Sequence, residues 1–350
     1  MELLAADSLQ YSDLLRLLRE EGSTTPLELC AKYDVVPAIQ KLLKSDAEIN
    51  VIRGKHNNAL RSVACSGHTE IVQILLDKGA DVNASDALWV AACRGHTETV
   101  QMLLTRGADV NASDALQAAA SGGHTEIVQM LLNKGAGVNA GFALQAAASG
   151  GHAETVQVLL DKGADINAGN ALGAAADGGH TEIVQMLLTR GADINASADI
   201  NTSDALGAAA KEGHTEIVQM LLDKGADINA GNALRWAAYR GHIETVHMLF
   251  DRGADINASN ALQAAASGGH TEIVQMLLNK GADVNTGFAL QVAADAGHID
   301  IVQMLLNRGA DVHAGFALQA AADAGHIDIV QMLLNGHADQ CWQPTAGCTR

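Results

Sequence analysis

Aromatic side chains are scarce in this chain: Phe, Trp and Tyr supply 3% of its 350 residues, although 48% are hydrophobic. A core of this composition is built mainly from Ala, Leu, Val and Ile, and such small side chains favour short, closely packed helices. Positive charge is short as well. With 22 Lys and Arg against 40 Asp and Glu, the formal net charge is −18, which repels phosphate backbones and anionic membrane surfaces and argues against nucleic acid or membrane as a partner. No apolar run reaches the roughly 18 residues that a bilayer span needs, because Asp, Glu, Lys, Arg or His interrupts every apolar stretch. Met1 to Asp7 lacks a basic segment followed by a cleavable apolar stretch, so secretion is not expected. The five cysteines, Cys30, Cys65, Cys93, Cys341 and Cys348, form an odd set without metal-ligand spacing. That set fits a reducing, intracellular and cytoplasmic setting.

What is present is repetition. Gly-His recurs with its histidine at His68, His96, His124, His152, His180, His214, His242, His270, His298 and His326, at a step of 28 residues broken once by a step of 34 from His180 to His214. A fixed period of this length marks one short unit copied many times and stacked, so length does not count domains here. Within one copy, a first helix is expected to begin after Asp114, whose side chain caps it, and to end at Gly123. A second helix carries Ile127, Val128, Leu131 and Leu132 as one apolar stripe, with Glu126, Gln129 and Asn133 facing away, and stops at Gly135. Acids such as Glu70, Glu98, Glu126 and Glu182 fall in its first turn, and Lys78, Arg106, Lys134 and Arg190 near its end, as the helix dipole favours. Helices this short are marginal alone, so each copy needs its neighbours to bury the stripe.

Thr25-Pro26-Leu27-Glu28-Leu29-Cys30-Ala31 resembles the opening of the ankyrin repeat, and Gly-His-Thr-Glu-Ile-Val with Gly-Ala-Asp-Val-Asn is similar to the rest of that unit. The likeness runs from about Thr25 to Asn335 and counts eleven units by their first-helix leucines, from Leu27 to Leu318. It implies an all-α solenoid of about eleven helix-turn-helix units, a curved rod roughly 100 Å long at about 8–10 Å per unit. Three parts are expected: residues 1–24, a degenerate helical cap; residues 25–335, the array; and residues 336–350, an irregular tail. The first step, Leu27 to Leu60, has the usual ankyrin length, but most later ones are five residues shorter. The shortfall lies in the connection that forms the family's β-hairpin finger, so mostly hairpin-less, tight loops are expected. The long step comes from a tandem copy, Ala192 to Ser197 followed by Ala198 to Ser203. Thr-Pro is replaced in later units by Asp-Ala or Asn-Ala, which still cap, or by Phe-Ala at Phe142, Phe288 and Phe316, which does not. The wording Asn-Ala-Leu-Gln-Ala-Ala is similar to ankyrin arrays common in fungal proteins.

The histidine ladder suggests a metal site, but equivalent histidines in stacked copies stand about one helix-packing distance apart, whereas zinc draws its ligands to within about 2.0–2.2 Å. The histidines therefore read as structural, bridging backbone groups between loops, with no metal and no cofactor. By the same spacing Cys65 and Cys93 are free thiols, since a disulfide needs Cα atoms about 4.4–6.8 Å apart. The repeated loop acids, Asp81 to Asp311, share one solvated environment rather than the unusual one that a catalytic carboxylate needs, and no nucleophile elbow or phosphate loop is present. No catalytic residue is assigned, and a metal-dependent enzyme is the competing class. Copying explains the common residues and leaves the exceptions as candidates for recognition: Trp89, Cys93 and Arg94; Lys211 and Glu212; and Arg235, Trp236, Tyr239 and Arg240. These residues lie on or near the first-helix positions that line the groove of ankyrin arrays, and Trp, Tyr and Arg are enriched in interface hot spots. For Trp89 and Trp236 the other reading is that they fill core gaps left by alanine. Phe142, Phe288 and Phe316 read either as hydrophobic plugs beneath the shortened loops, the preferred reading, or as exposed contacts. The last unit carries an apolar face, with Val330, Leu333 and Leu334, and is expected to fray, to self-associate or to continue into further repeats. The expected function is a non-catalytic scaffold or adaptor that holds a partner protein on the concave face lined by its first helices; a sensor or spacer arm of a larger signalling protein is the alternative.

Overall fold

The computed structural model describes residues 59–83, 86–139, 142–196, 204–257, 260–285, 288–312 and 316–341, with Val36 and Ile39; for residues 336–341 only the backbone is described. The cap expected at residues 1–24 lies outside this set, as does the first unit, read at Thr25, apart from Val36 and Ile39. The described residues form twenty α-helices in ten pairs and no strand, so the expected all-α stack of helix-turn-helix units stands. The chain divides into an N-terminal part, Met1–Ala171, and a C-terminal part, Leu172–Arg350.

The pair Ala115–Ser121 and Thr125–Asn133 stands for the others. Ala115, Leu116, Ala119 and Ala120 of its first helix and Ile127, Val128 and Leu131 of its second are almost fully buried. Glu126, Gln129 and Asn133 face solvent. Within each part, first helices pack on first helices and second helices on second helices, as Ala233–Arg240 does on both Ala205–Glu212 and Ala261–Gly268. Each large side chain so buried contributes about 1.5–3 kcal/mol.

The Gly-His pair is the joint between copies. His124 Nε2 donates to the Cys93 carbonyl at 3.2 Å, His152 to Ser121 at 3.0 Å and His242 to Lys211 at 2.9 Å. A carbonyl only accepts, so the bonded tautomer carries its proton on Nε2. The glycine is needed twice over. Gly95 takes φ +77°, and a methyl group there would stand 2.6 Å from His124 Cε1. The loops form a second ladder: Asn83 N donates to Asp81 Oδ1 at 3.0 Å, and Asn83 Oδ1 accepts from Asp109 N of the next copy at 2.8 Å. The regular loop acids are thereby turn formers.

In three copies the buried isoleucine of the second helix is a threonine, Thr99, Thr155 or Thr245, each almost fully buried. Its hydroxyl pairs with the threonine that opens the preceding second helix: Thr99 with Thr69 at 3.2 Å, Thr155 with Thr125 at 2.9 Å and Thr245 with Thr215 at 3.2 Å.

Three expectations are corrected here. Asp114 does not cap its helix. It sits in the left-handed region, φ 53°, with no side-chain cap bond, and Asp86, Asn232 and Asn260 behave alike. Asp204 does cap, from extended backbone, and follows the six extra residues of the long step. The shortened connection thus delivers the chain to the helix from the left-handed side, with the carboxylate or amide turned from the helix amides. Phe142, Phe288 and Phe316 hold that same left-handed position and are 56%, 58% and 75% exposed, so they are not plugs. Finally, the last helix runs Ile327–Cys341, into the segment expected to be an irregular tail from residue 336. His337 occupies the place that Gly135 holds in the copy described above. Without glycine there, the left-handed stop seen at Gly135, φ +94°, is costly and the helix continues.

Candidate functional site

The sequence-picked residues fall into two clusters, one in each part. In the C-terminal part, the helix Ala233–Arg240 reads Ala-Leu-Arg-Trp-Ala-Ala-Tyr-Arg. Its buried side, Ala233, Leu234, Ala237 and Ala238, fixes the helix to its neighbours. Arg235 and Tyr239 are four residues apart, as are Trp236 and Arg240, so each pair projects from one side of the helix.

Trp236 and Tyr239 meet edge to face, with ring centroids 6.4 Å apart and planes at 79°. Trp236 is half-buried and Tyr239 is 45% exposed. The Arg235 guanidinium lies 5.6 Å from the Trp236 ring centroid, a cation–π arrangement. Beside them the first helices frame a groove of about 350 Å³, to which Gln263, Ala264, Ser267 and Val292 also contribute.

Next to the groove, Lys211 Nζ stands 2.8 Å from Glu212 Oε1 and 3.2 Å from Asp177 Oδ1, and Arg240 Nη2 stands 3.8 Å from Glu212 Oε1. The bond to Glu212 raises the Lys211 ammonium above its ordinary pKa, and the same bond holds the Glu212 carboxyl below its own. Such open pairs are worth about 0–1 kcal/mol each and orient side chains more than they stabilise the fold. The backbone beneath is held by the histidine joints: Lys211 O accepts from His242, and Tyr239 O accepts from His270 at 2.8 Å. This is a rigid support for side chains that face outward.

In the N-terminal part, Trp89 is half-buried, with the Arg61 guanidinium 5.6 Å from its ring centroid, and Cys93 and Arg94 are exposed. Arg61 Nη1 stands 3.8 Å from Asp86 Oδ2. Both tryptophans are thus half-buried, each with a guanidinium over its ring. Sequence reasoning missed Arg61, Gln263, Ser267 and Val292. Each lies one repeat step from a residue that was noticed or lines the same groove: Arg61 from Trp89, Gln263 from Arg235, Ser267 from Tyr239 and Val292 from Ala264. Stepping the register would have found them.

Cys65 and Cys93 are free cysteines. Among the described residues no group of three or more His, Cys, Asp or Glu is placed to hold a metal ion, and no helix is long and apolar enough to cross a membrane.

The family profile "Ankyrin repeats (3 copies)" matches residues 3–86, 27–114, 88–170, 115–198, 172–260, 234–316 and 262–343. Among solved structures, the crystal structure of the human ASB11 ankyrin repeat domain is similar, with 25% identity and a TM-score of 0.52 over 58% of this chain and 99% of that one. No curated protein matches the chain. Ankyrin repeats are generally protein-interaction modules and typically non-catalytic. With its family profile matched along almost the whole sequence and its helix pairs joined copy to copy by Gly-His, this chain belongs to the ankyrin-repeat family.

Proposed function

We propose that the chain is a non-catalytic scaffold that holds a partner polypeptide on the face made by its first helices, in an intracellular setting. The observation that carries this reading is the pair Trp236 and Tyr239, packed edge to face, with Trp236 half-buried and Tyr239 exposed. The Trp236 position is alanine in the flanking copies, Ala208 and Ala264, and the Tyr239 position is Lys211 and Ser267. In register, the flanking copies thus carry small residues at the first of these positions and polar ones at the second. Large aromatic and arginine side chains, half desolvated on a rigid backbone, bind at low entropic cost.

The test is a partner captured with the full chain, purified, and titrated against wild type, Trp236→Ala and Arg240→Ala. Each variant is expected to weaken binding by about tenfold or more, near 1.4 kcal/mol, while remaining folded at the temperature of the titration, Trp236→Ala with a lowered unfolding midpoint because the ring is half-buried. Full affinity in both variants would overturn the reading.

A further inference from the structure

The groove beside Trp236 has a one-sided chemistry. Its wall combines an arginine, two aromatic rings, Val292 and the neutral polar side chains of Gln263 and Ser267, and contains no acid, in a chain of net charge −18. Arg235 is exposed, and among the described residues no carboxylate lies within ion-pair distance of it; its guanidinium lies over the Trp236 ring. Arg240 and Lys211, by contrast, are engaged with Glu212, and Arg106 and Arg252 with Asp77 and Asp223. An arginine held over an indole on the wall of this groove keeps its guanidinium N–H fork for a planar anion.

We propose that this groove takes a polypeptide segment in which an Asp or Glu side chain stands beside a large apolar one. The carboxylate meets Arg235, the apolar side chain lies against Trp236, Tyr239 and Val292, and Gln263 and Ser267 bond to the segment's backbone. This rests on the scaffold reading above and adds the chemical class of the partner. A basic segment fits the chain's overall charge but not this groove. The net charge is spread over the surface and screened within about 8 Å at physiological ionic strength, whereas Arg235 acts at contact.

The test is selection of randomised dodecapeptides, displayed without a free carboxy terminus, on the full chain, on Arg235→Gln and on Trp236→Phe, the last a variant that keeps a ring on the same buried edge. The wild-type selection is expected to enrich Asp or Glu next to Leu, Ile, Phe or Trp. A synthetic peptide of the enriched sequence is expected to lose at least tenfold in affinity when its acid becomes the amide, and about the same on Arg235→Gln. Peptides that lose binding on Trp236→Phe yet show no acid preference, or ignore Arg235→Gln, would overturn the carboxylate assignment and leave the scaffold reading intact. A selection that yields no binder, or only binders indifferent to both variants, would overturn the two together.

Discussion

Asp204 Oδ1 accepts a hydrogen bond from the Gly207 amide at 2.7 Å and caps the helix Ala205–Glu212. Asp114 stands in the same four-residue wording, Ser-Asp-Ala-Leu, and makes no such bond. The difference lies upstream, where the long step adds six residues before Asp204. The carboxylate of Asp204 fills space that glycine leaves at position 231 of the next copy, where any Cβ would collide with Oδ1.

Asp204 is almost fully buried, and burial holds its carboxyl above the ordinary pKa; the Gly207 bond pulls it back and the Asp227 charge adds to the rise. A raised acid binds more protons in the folded state than in the unfolded one, so its contribution to stability falls as pH rises from the unfolded carboxyl value, near about 4, through the folded one. Asp204→Asn keeps the acceptor and removes the titration, so its urea midpoint should gain on wild type as pH goes from 4 to 7. Asp204→Ala loses the cap and should cost about 0.5–2 kcal/mol. A wild-type to Asn difference that does not change with pH would contradict the account.

The Gly95 and His124 joint predicts coupled losses. His124→Ala removes the bond to the Cys93 carbonyl, at about 0.5–1.5 kcal/mol, and Gly95→Ala forces a methyl group against the imidazole in left-handed backbone. Because the two residues touch, the double variant should lose less than the sum of the singles. Strict additivity in denaturant unfolding would show that the contact is not a joint.

Thr125→Ala should cost about 1–2 kcal/mol by orphaning the buried Thr155 hydroxyl. Adding Thr155→Val, which removes that hydroxyl at nearly constant shape, should recover most of the loss. If the double variant is no more stable than Thr125→Ala, the hydroxyl pair is not what the first substitution breaks.

Phe316 is 75% exposed and takes φ 56°. Asparagine tolerates that region far better, so Phe316→Asn should raise stability by up to about 1 kcal/mol. A lower unfolding midpoint would mean that the ring makes a contact worth more than the backbone strain.

Much of the fold was legible because burial in a stacked array follows short-range periodicity. Ile127, Val128 and Leu131 lie on one side of a helix whatever its neighbours do, and Gly123 and Gly135 mark its limits through a conformational freedom that other residues lack. The histidines were readable as structural from the spacing of copies alone. The caps were not, because an Asp or Asn before a helix has two ways to enter it and the wording does not choose. Nor was the exposure of Phe142, which follows from its being held in the left-handed position rather than from its hydrophobicity. The groove was half legible: Arg235, Trp236 and Tyr239 break the repeat, while Gln263 and Ser267 look like ordinary copies until the next helix sets them beside Tyr239.

The repeat step, the helix pairs and the oily stripe that joins one copy to the next are thus written in the sequence, since each depends on residues a few positions apart. Where the chain enters each helix, which rings meet water and that Arg235 has no carboxylate beside it were settled only in three dimensions. There the length of a connection and the side chains of the adjoining copy decide among conformations that local wording leaves equal.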